Sequence, residues 1–362
     1  MFANIYQGKR VLITGHTGFK GSWLALWLTQ LGAEVAGYAL PPPTMPNHLE
    51  LLNLKISSVT GNILDKDKLL KAFIDFEPEI VFHLAAQPLV RRSYDEPAET
   101  FAVNVLGTAN VLDACRKCSS VRAIVNVTSD KCYENKEWVW GYRENDPMGG
   151  YDPYSASKGC AELVAGCYRN SFFNPAEYGI KHQTLIASCR AGNVIGGGDW
   201  AADRLIPDII KAAAASQPAA IRNPNAIRPW QHVLEPLSGY LLVGQKLLEG
   251  NKEFSGAWNF GPGDDGVITV GELTKKMAGF WPDISIELTA SAGQPHEAKL
   301  LKLDCSKAAV MLQWRSVWDN NATIAHTVNW YRAFYQQQQL LSRSDLDHYL
   351  QSAAEGALAW TK

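Results

Sequence analysis

Five residues in two short stretches carry side chains that can move protons at a single site. Ser129, Asp130 and Lys131 stand in "VTSDKCYEN", directly after the apolar run "RAIVNV" (122–127). Tyr154 and Lys158 form Y-x-x-x-K at the start of "YSASKGCAELVAGCYR". Residues four apart share a helix face, so a phenol and an ammonium can serve one site. The cation favours phenolate and is expected to lower the Tyr154 pKa, making it a base near neutrality. A lone Ser-Asp-Lys is usually a solvated turn, and a lone Y-x-x-x-K is usually a surface pair. Their combination reads differently, because Ser129 ends a buried strand, and open α/β sheets bind ligands at the carboxyl ends of their strands.

The elements that must position these residues alternate. "RVLIT" (10–14), "EVAGYAL" (34–40), "KISSVTGNI", "EIVFHLAA" (79–86), "RAIVNV" and "QTLIASCR" (183–190) read as strands. Between them lie helical patterns such as "FKGSWLALWLTQLG" and "DKDKLLKAFIDF", a stretch after Pro97, and the long segment from Tyr154. Repeated β-α units imply an α/β fold, a Rossmann-type doubly wound parallel sheet with helices on both faces. Seven strands are expected. Residues 1–190 are assigned to the dinucleotide-binding domain, joined by a returning segment near 230–260. Residues 191–362 are assigned mainly to a smaller substrate-binding lobe.

The first strand runs into "TGHTGFKG", which spaces Gly15, Gly18 and Gly21 as G-x-x-G-x-x-G before a helix. Glycines allow the tight turn and close approach to a pyrophosphate, which the helix N-terminus then meets with N–H groups. A bound dinucleotide is expected. Lys20 is a candidate for added charge near the phosphates, and His16 either lines the site or fills the turn. Many NAD sites end the second strand in an acid that bonds the ribose. Here that region is "GYALPPP", with neither an acid nor an arginine for a 2′-phosphate, so weak cofactor retention is expected.

The formal net charge of −2 supplies no electrostatic footprint for nucleic acid or an anionic membrane. No stretch of about 18 apolar residues exists, and the chain starts directly on a strand, so a soluble cytoplasmic protein is expected. Seven cysteines at irregular spacing read as reduced structural thiols. "CRKC" (115–118) lacks a second ligand pair, and no metal is expected.

With these residues in view, the sequence resembles the extended short-chain dehydrogenases/reductases over nearly its whole length. The similarity rests on the glycine turn, "HLAAQ" (83–87), "NVLGT" (104–108), Ser129/Tyr154/Lys158, "RAGNVIGGGD" (190–199) and "RPWQHVLEPLSGYL" (228–241). The acid after Ser129 is similar to the nucleotide-sugar 4,6-dehydratases, most of which carry Thr-Asp-Glu. Lysine in the third place, with "GHTGFKGSW" and "GYALPPPT", is most similar to the branch acting on CDP-glucose.

The resemblance implies NAD as cofactor and a nucleotide sugar as substrate. Tyr154 would take the 4-hydroxyl proton as C4 is oxidised, with Lys158 orienting the nicotinamide ribose and Ser129 bonding the reacting oxygen. Asp130 would protonate the leaving 6-hydroxyl, and Lys131 would remove the C5 proton. It also implies cofactor contacts at His16, Phe19, Lys20, Asn62, Ile63, Leu84, Ala85, Ala86 and Asn104. Substrate contacts are implied at Gln87, Asn193, Arg204, Arg228, Asn259 and His296. A homodimer through the helices near 98–117 and 154–172 is expected. A 4-epimerase, a decarboxylase or an inactive NAD-binding regulator remain alternatives; the first two do not need the Asp-Lys pair, and the third has no reason to keep Ser129, Tyr154 and Lys158 together.

Overall fold

Apolar runs with β-branched residues form the strands, and glycines or polar turns end them. In chain order they are β1 (Arg10–Thr14), β2 (Glu34–Ala39), β3 (Ser57–Thr60), β4 (Ile80–His83), β5 (Ala123–Val127) and β6 (Leu185–Ala191). Three short strands follow, β7 (Asn193–Ile195), β8 (Ala219–Ile221) and β9 (Ile227–His232), then β10 (Ala257–Phe260), β11 (Val267–Thr269) and β12 (Ile286–Leu288). The computed structural model describes residues 1–221, 223–263, 266–288 and 300–362.

Seven strands form one sheet in the order β10-β6-β5-β4-β1-β2-β3, every pair parallel. The strand order reverses between β1 and β4, which opens a crevice at their carboxyl ends, as in dinucleotide-binding sheets. The seventh strand, β10, comes from the returning segment and pairs in register with β6, Asn259 beside Arg190. Beyond the main sheet, β11-β9-β7 and β12-β8 make two small sheets beside the crevice.

Helices cover both faces. On one face lie α1 (Phe19–Gln30), α9 (Leu234–Leu248), α11 (Asn320–Gln337) and α12 (Ser342–Glu355), around a core that includes Trp23, Trp27, Trp258 and Trp330. On the other lie α3 (Lys66–Phe76), α6 (Gly107–Lys117) and α7 (Pro153–Ser171), closing over Leu12, Val81, Ile124 and Ile186. The helix α1 is buried from Gly21 to Leu28 on every side, because the C-terminal helices cover the face that would otherwise meet water. Its tryptophans are explained by that second layer, with Trp27 edge-on to Tyr349 of α12.

The stretch after Pro97 is one helix with a defect. The α-helical turns Pro97–Phe101 and Gly107–Lys117 flank a wider π-helical turn, Ala102–Leu106. Such turns often mark functional positions. The helix α7 starts at Pro153, capped by the Asp152 carboxylate, which accepts the Ser155 backbone N–H. Glu235, at the start of α9, is buried. Its carboxylate accepts the Val317 and Trp318 backbone N–H groups and the Tyr349 hydroxyl. Burial still wins, pushing its pKa up to about 7 against those three donors. No helix among the described residues is long and apolar enough to cross a membrane.

Candidate active site

A cleft of about 1710 Å³ opens along the carboxyl ends of the main sheet and continues to β8 and β9. One drug-sized ligand fills roughly 300–1,000 Å³, so this volume suits two extended ligands side by side. The glycine turn forms one end. Gly15 has φ +80°, and a Cβ there would stand 2.7 Å from Ala85 N. A Cβ on Gly21 would stand 2.3 Å from the Gly15 carbonyl, so any side chain would separate the turn from the helix. The helix α1 begins without a side-chain cap on Gly18, leaving its first N–H groups for an anion.

The five proton-transfer candidates meet at the other end, where Ser129, Asp130, Lys131, Tyr154 and Lys158 all line the cleft. Ser129 ends the extended segment after β5 and caps a short helical turn, accepting the Lys131 N–H at 3.2 Å. Its hydroxyl donates to Asp130 Oδ1 at 2.9 Å. Asp130 Oδ2 is buried with no hydrogen-bond partner, an open acceptor at the site. Lys158 sits one turn before Glu162, which is paired at 2.8 Å with Arg190 in a buried ion pair and also accepts the Thr128 hydroxyl.

The electrostatics correct one expectation. Burial pushes the Tyr154 phenol up to about 12, a hydrogen bond with Ser129 lowers it, and the Asp130 charge raises it further. Desolvation of phenolate therefore outweighs the cationic stabilisation expected from Lys158 in the protein alone. Burial likewise pulls Lys158 down to about 8, with the Glu162 charge holding it up. The glycine-turn pattern puts Lys20 among phosphates, yet its Nζ lies 3.5 Å from the Tyr240 hydroxyl. Burial lowers it to about 7, Arg204 and Lys158 add to that, and Asp130 opposes it, so the Lys20 amine is electrostatically coupled to Asp130 and Lys158.

Phe19, Asn62, Ile63, Leu84, Ala85 and Ala86 line the cleft, as do Gln87, Asn193, Arg204 and Arg228. The Gln87 side chain is fully engaged, accepting Leu89 N–H and donating to Leu89 O and the Thr100 hydroxyl. Arg204 pairs with Asp199 at 3.0 Å, which raises its pKa.

Three expected contacts are placed differently by their side chains. His16 is buried off the cleft, its Nε2 2.7 Å from Ser58 Oγ and its ring filling the space a Gly37 side chain would need. Asn104, in the π-helical turn, accepts the Gln87 N–H and donates to Gln87 O and the Ser157 hydroxyl. It positions the cleft wall and α7 from behind. Asn259 is fully buried, its amide accepting the Tyr133 hydroxyl and donating to the Tyr142 and Asp304 carbonyls, so it ties those segments to β10. His296 lies outside the described residues.

Sequence reading missed Glu162, whose signal was its placement four residues after Lys158. It also assigned no role to Asp199, although that residue ends the quoted motif "RAGNVIGGGD".

Residues 12–327 match the family described as GDP-mannose 4,6 dehydratase. A CDP-glucose 4,6-dehydratase of Salmonella typhimurium (strain LT2) is 54% identical over 351 residues, 96% of this chain and 98% of that protein. A dTDP-glucose 4,6-dehydratase of the same organism is 24% identical over 96% of this chain and 99% of its own length. The solved UDP-glucose 4-epimerase of Thermus thermophilus in complex with NAD superposes with a TM-score of 0.74 at 24% identity, covering 89% of this chain and 99% of that one.

Proposed function

The chain belongs to the GDP-mannose 4,6 dehydratase family of nucleotide-sugar enzymes, and from that premise we propose that it is an NAD-dependent lyase converting CDP-glucose to CDP-4-keto-6-deoxyglucose and water. One observation carries the reading beyond oxidation: Asp130 and Lys131 stand in the same cleft as Ser129, Tyr154 and Lys158. Epimerisation at C4 gives this extra acid and base nothing to do.

The glycine turn, the uncapped start of α1 and the volume of the cleft fit a dinucleotide. Gly15, Gly18 and Gly21 would hold its pyrophosphate, and Asn62, Ile63 and Leu84–Ala86 its length. NAD held there would supply the hydride acceptor for oxidation at C4 and the hydride donor for reduction at C6. Tyr154 takes the 4-hydroxyl proton, with Ser129 bonding the same oxygen. The ketone so formed acidifies C5–H, which Lys131 removes while Asp130 protonates the leaving 6-hydroxyl; once C6 is reduced, the Lys131 ammonium returns its proton to C5, and the proton taken by Tyr154 restores Asp130 through solvent. Arg204 and Arg228, at the far wall, suit the substrate diphosphate, where a guanidinium can bond two oxygens at once.

Retention of the cofactor is expected to be weak, since β2 ends without a carboxylate for the ribose. Exposed Phe101, Leu106, Leu163 and Phe172 on the helices of one face support a homodimer. A nucleotide-activated product suits a cytoplasmic enzyme supplying deoxysugars for lipopolysaccharide O-antigen.

Incubation with NAD⁺ and CDP-, dTDP-, GDP- or UDP-glucose tests the reading. A 4-keto-6-deoxy product from CDP-glucose is expected, and substrate deuterated at C4 should yield product deuterated at C6 without net NADH. A C4 epimer, or label lost to solvent, would remove the dehydratase assignment.

A further inference from the structure

Away from the cleft, α11 and α12 bring together three groups with no role in this reaction: His326, Asp345 and His348. One ligand atom from each lies within 4.8 Å of the other two. Asp345 and His348, three residues apart, share a face of α12, and His326 reaches across from α11. The Asp345 side chain is 5% exposed, with Oδ1 2.7 Å from His326 Nδ1. Its other oxygen, Oδ2, is buried without a hydrogen-bond partner. A His–Asp pair by itself accounts for Oδ1 and leaves Oδ2 with nothing to accept, an arrangement that is costly in the interior. The His326 ring lies flat on Trp318, 3.9 Å between centroids with a 4° tilt, which fixes its plane. His348 is exposed, so the cluster opens to solvent on its side.

We propose that His326, Asp345 and His348 form a binding site for one divalent late first-row cation of the zinc type. Two imidazole nitrogens and a carboxylate are the donor set such ions take, whereas Mg²⁺ and Ca²⁺ demand more oxygens. Tetrahedral bonds of about 2.0–2.2 Å place ligand atoms roughly 3.3–3.6 Å apart, so rotation of the exposed His348 side chain brings its nitrogen in, while the ion replaces the 2.7 Å hydrogen bond between His326 Nδ1 and Asp345, which part slightly. The Asp345 carboxylate neutralises half the ionic charge, and its orphaned oxygen gains a partner. Solvent completes the fourth position. The ion would fasten α12 to α11, whose Tyr331 holds Asp199 beside the cleft through hydrogen bonds in both directions.

The test uses the full chain freed of metal with a chelator. Zn²⁺ is titrated in competition with a chromogenic chelator, and melting is followed with and without the ion. One Zn²⁺ per chain is expected, with a rise in melting temperature. His348→Ala alters an exposed side chain and should fold normally, losing at least the ~10–100-fold in affinity that even an outer-shell partner contributes, together with the thermal shift. Asp345→Asn should weaken binding likewise, and turnover of CDP-glucose by His348→Ala should be unchanged. Failure of the wild-type protein to take up Zn²⁺ overturns the site. So does uptake that survives both substitutions, the result expected if exposed thiols such as Cys167 were the ligands.

Discussion

Ser129 Oγ donates to Asp130 Oδ1 at 2.9 Å, and the second carboxylate oxygen of Asp130 is left buried and unpartnered. One oxygen is thus fixed by the neighbouring hydroxyl and the other is available to the substrate. Asp130→Asn keeps an acceptor for Ser129 but removes the proton donor. It should leave oxidation at C4 intact and slow elimination by about 10²–10⁴-fold, the usual contribution of general acid–base catalysis. Single-turnover absorbance of the reduced cofactor measures the first step and product formation the second. A loss of both in equal proportion would place Asp130 in the oxidation step.

On the proposed mechanism, Lys158 sets an alkaline limit. Its pKa is pulled down to about 8 by burial, against the opposing charge of Glu162. The working form is the ammonium, present below that value and lost as pH rises through it. Activity should therefore fall above about pH 8, well before an ordinary lysine titrates. Lys158→Arg keeps the charge at all accessible pH, so it should lose the alkaline limb even though altered geometry lowers its rate. A pH–rate profile of kcat/KM for both proteins decides this.

Glu235 makes a stability prediction independent of catalysis. Burial raises its carboxyl from about 4.5 to about 7. The folded state therefore holds the proton more tightly than the unfolded chain between those values. The stabilisation is complete below about pH 4.5 and is lost as pH rises through about 7, amounting to about 3 kcal/mol at 1.36 kcal/mol per unit. Glu235→Gln cannot titrate, and the slope of unfolding free energy against pH over that window should flatten. Denaturant melts at about pH 5 and about pH 7.5, on either side of most of that window, measure it.

Hydrophobic period and glycine spacing made the sheet legible, because strand burial and the phosphate turn are written in local runs such as "RVLITG" and "RAIVNV". That Ser129, Asp130, Lys131, Tyr154 and Lys158 share one cleft was legible for a similar reason: Ser129 and Tyr154 sit at fixed offsets from a strand end and a helix start. What escaped depends on long-range contact. Asn259 belongs to a strand that pairs with β6 only after the chain returns, so its engagement with Tyr142 and Asp304 has no local signal. Tyr154 and Lys158 read as a pair in the sequence, but burial acts on each separately and drives the phenol upward. The His326 cluster spans two helices, and no spacing rule joins its members.

Lys131 departs from the more usual glutamate and makes the sharpest test. It lines the cleft beside Asp130, and its backbone is fixed by Ser129. As the C5 base, it is needed only after the ketone exists. Lys131→Ala should then permit oxidation and block elimination, stalling the enzyme with reduced cofactor and a 4-keto-glucose. Loss of a general base typically removes about 10²–10⁴-fold in rate. Lys131→Glu should recover part of it, since a carboxylate also accepts a proton. Two adjacent carboxyls cannot both ionise freely, so one pKa must rise and displace the pH–rate profile of the variant. If Lys131 serves only to shape the turn after β5, Lys131→Ala will turn over at near-normal rate with intact folding by circular dichroism. The base would then have to be sought elsewhere along the cleft, with Lys20 first in line because its amine is already pulled down to about 7.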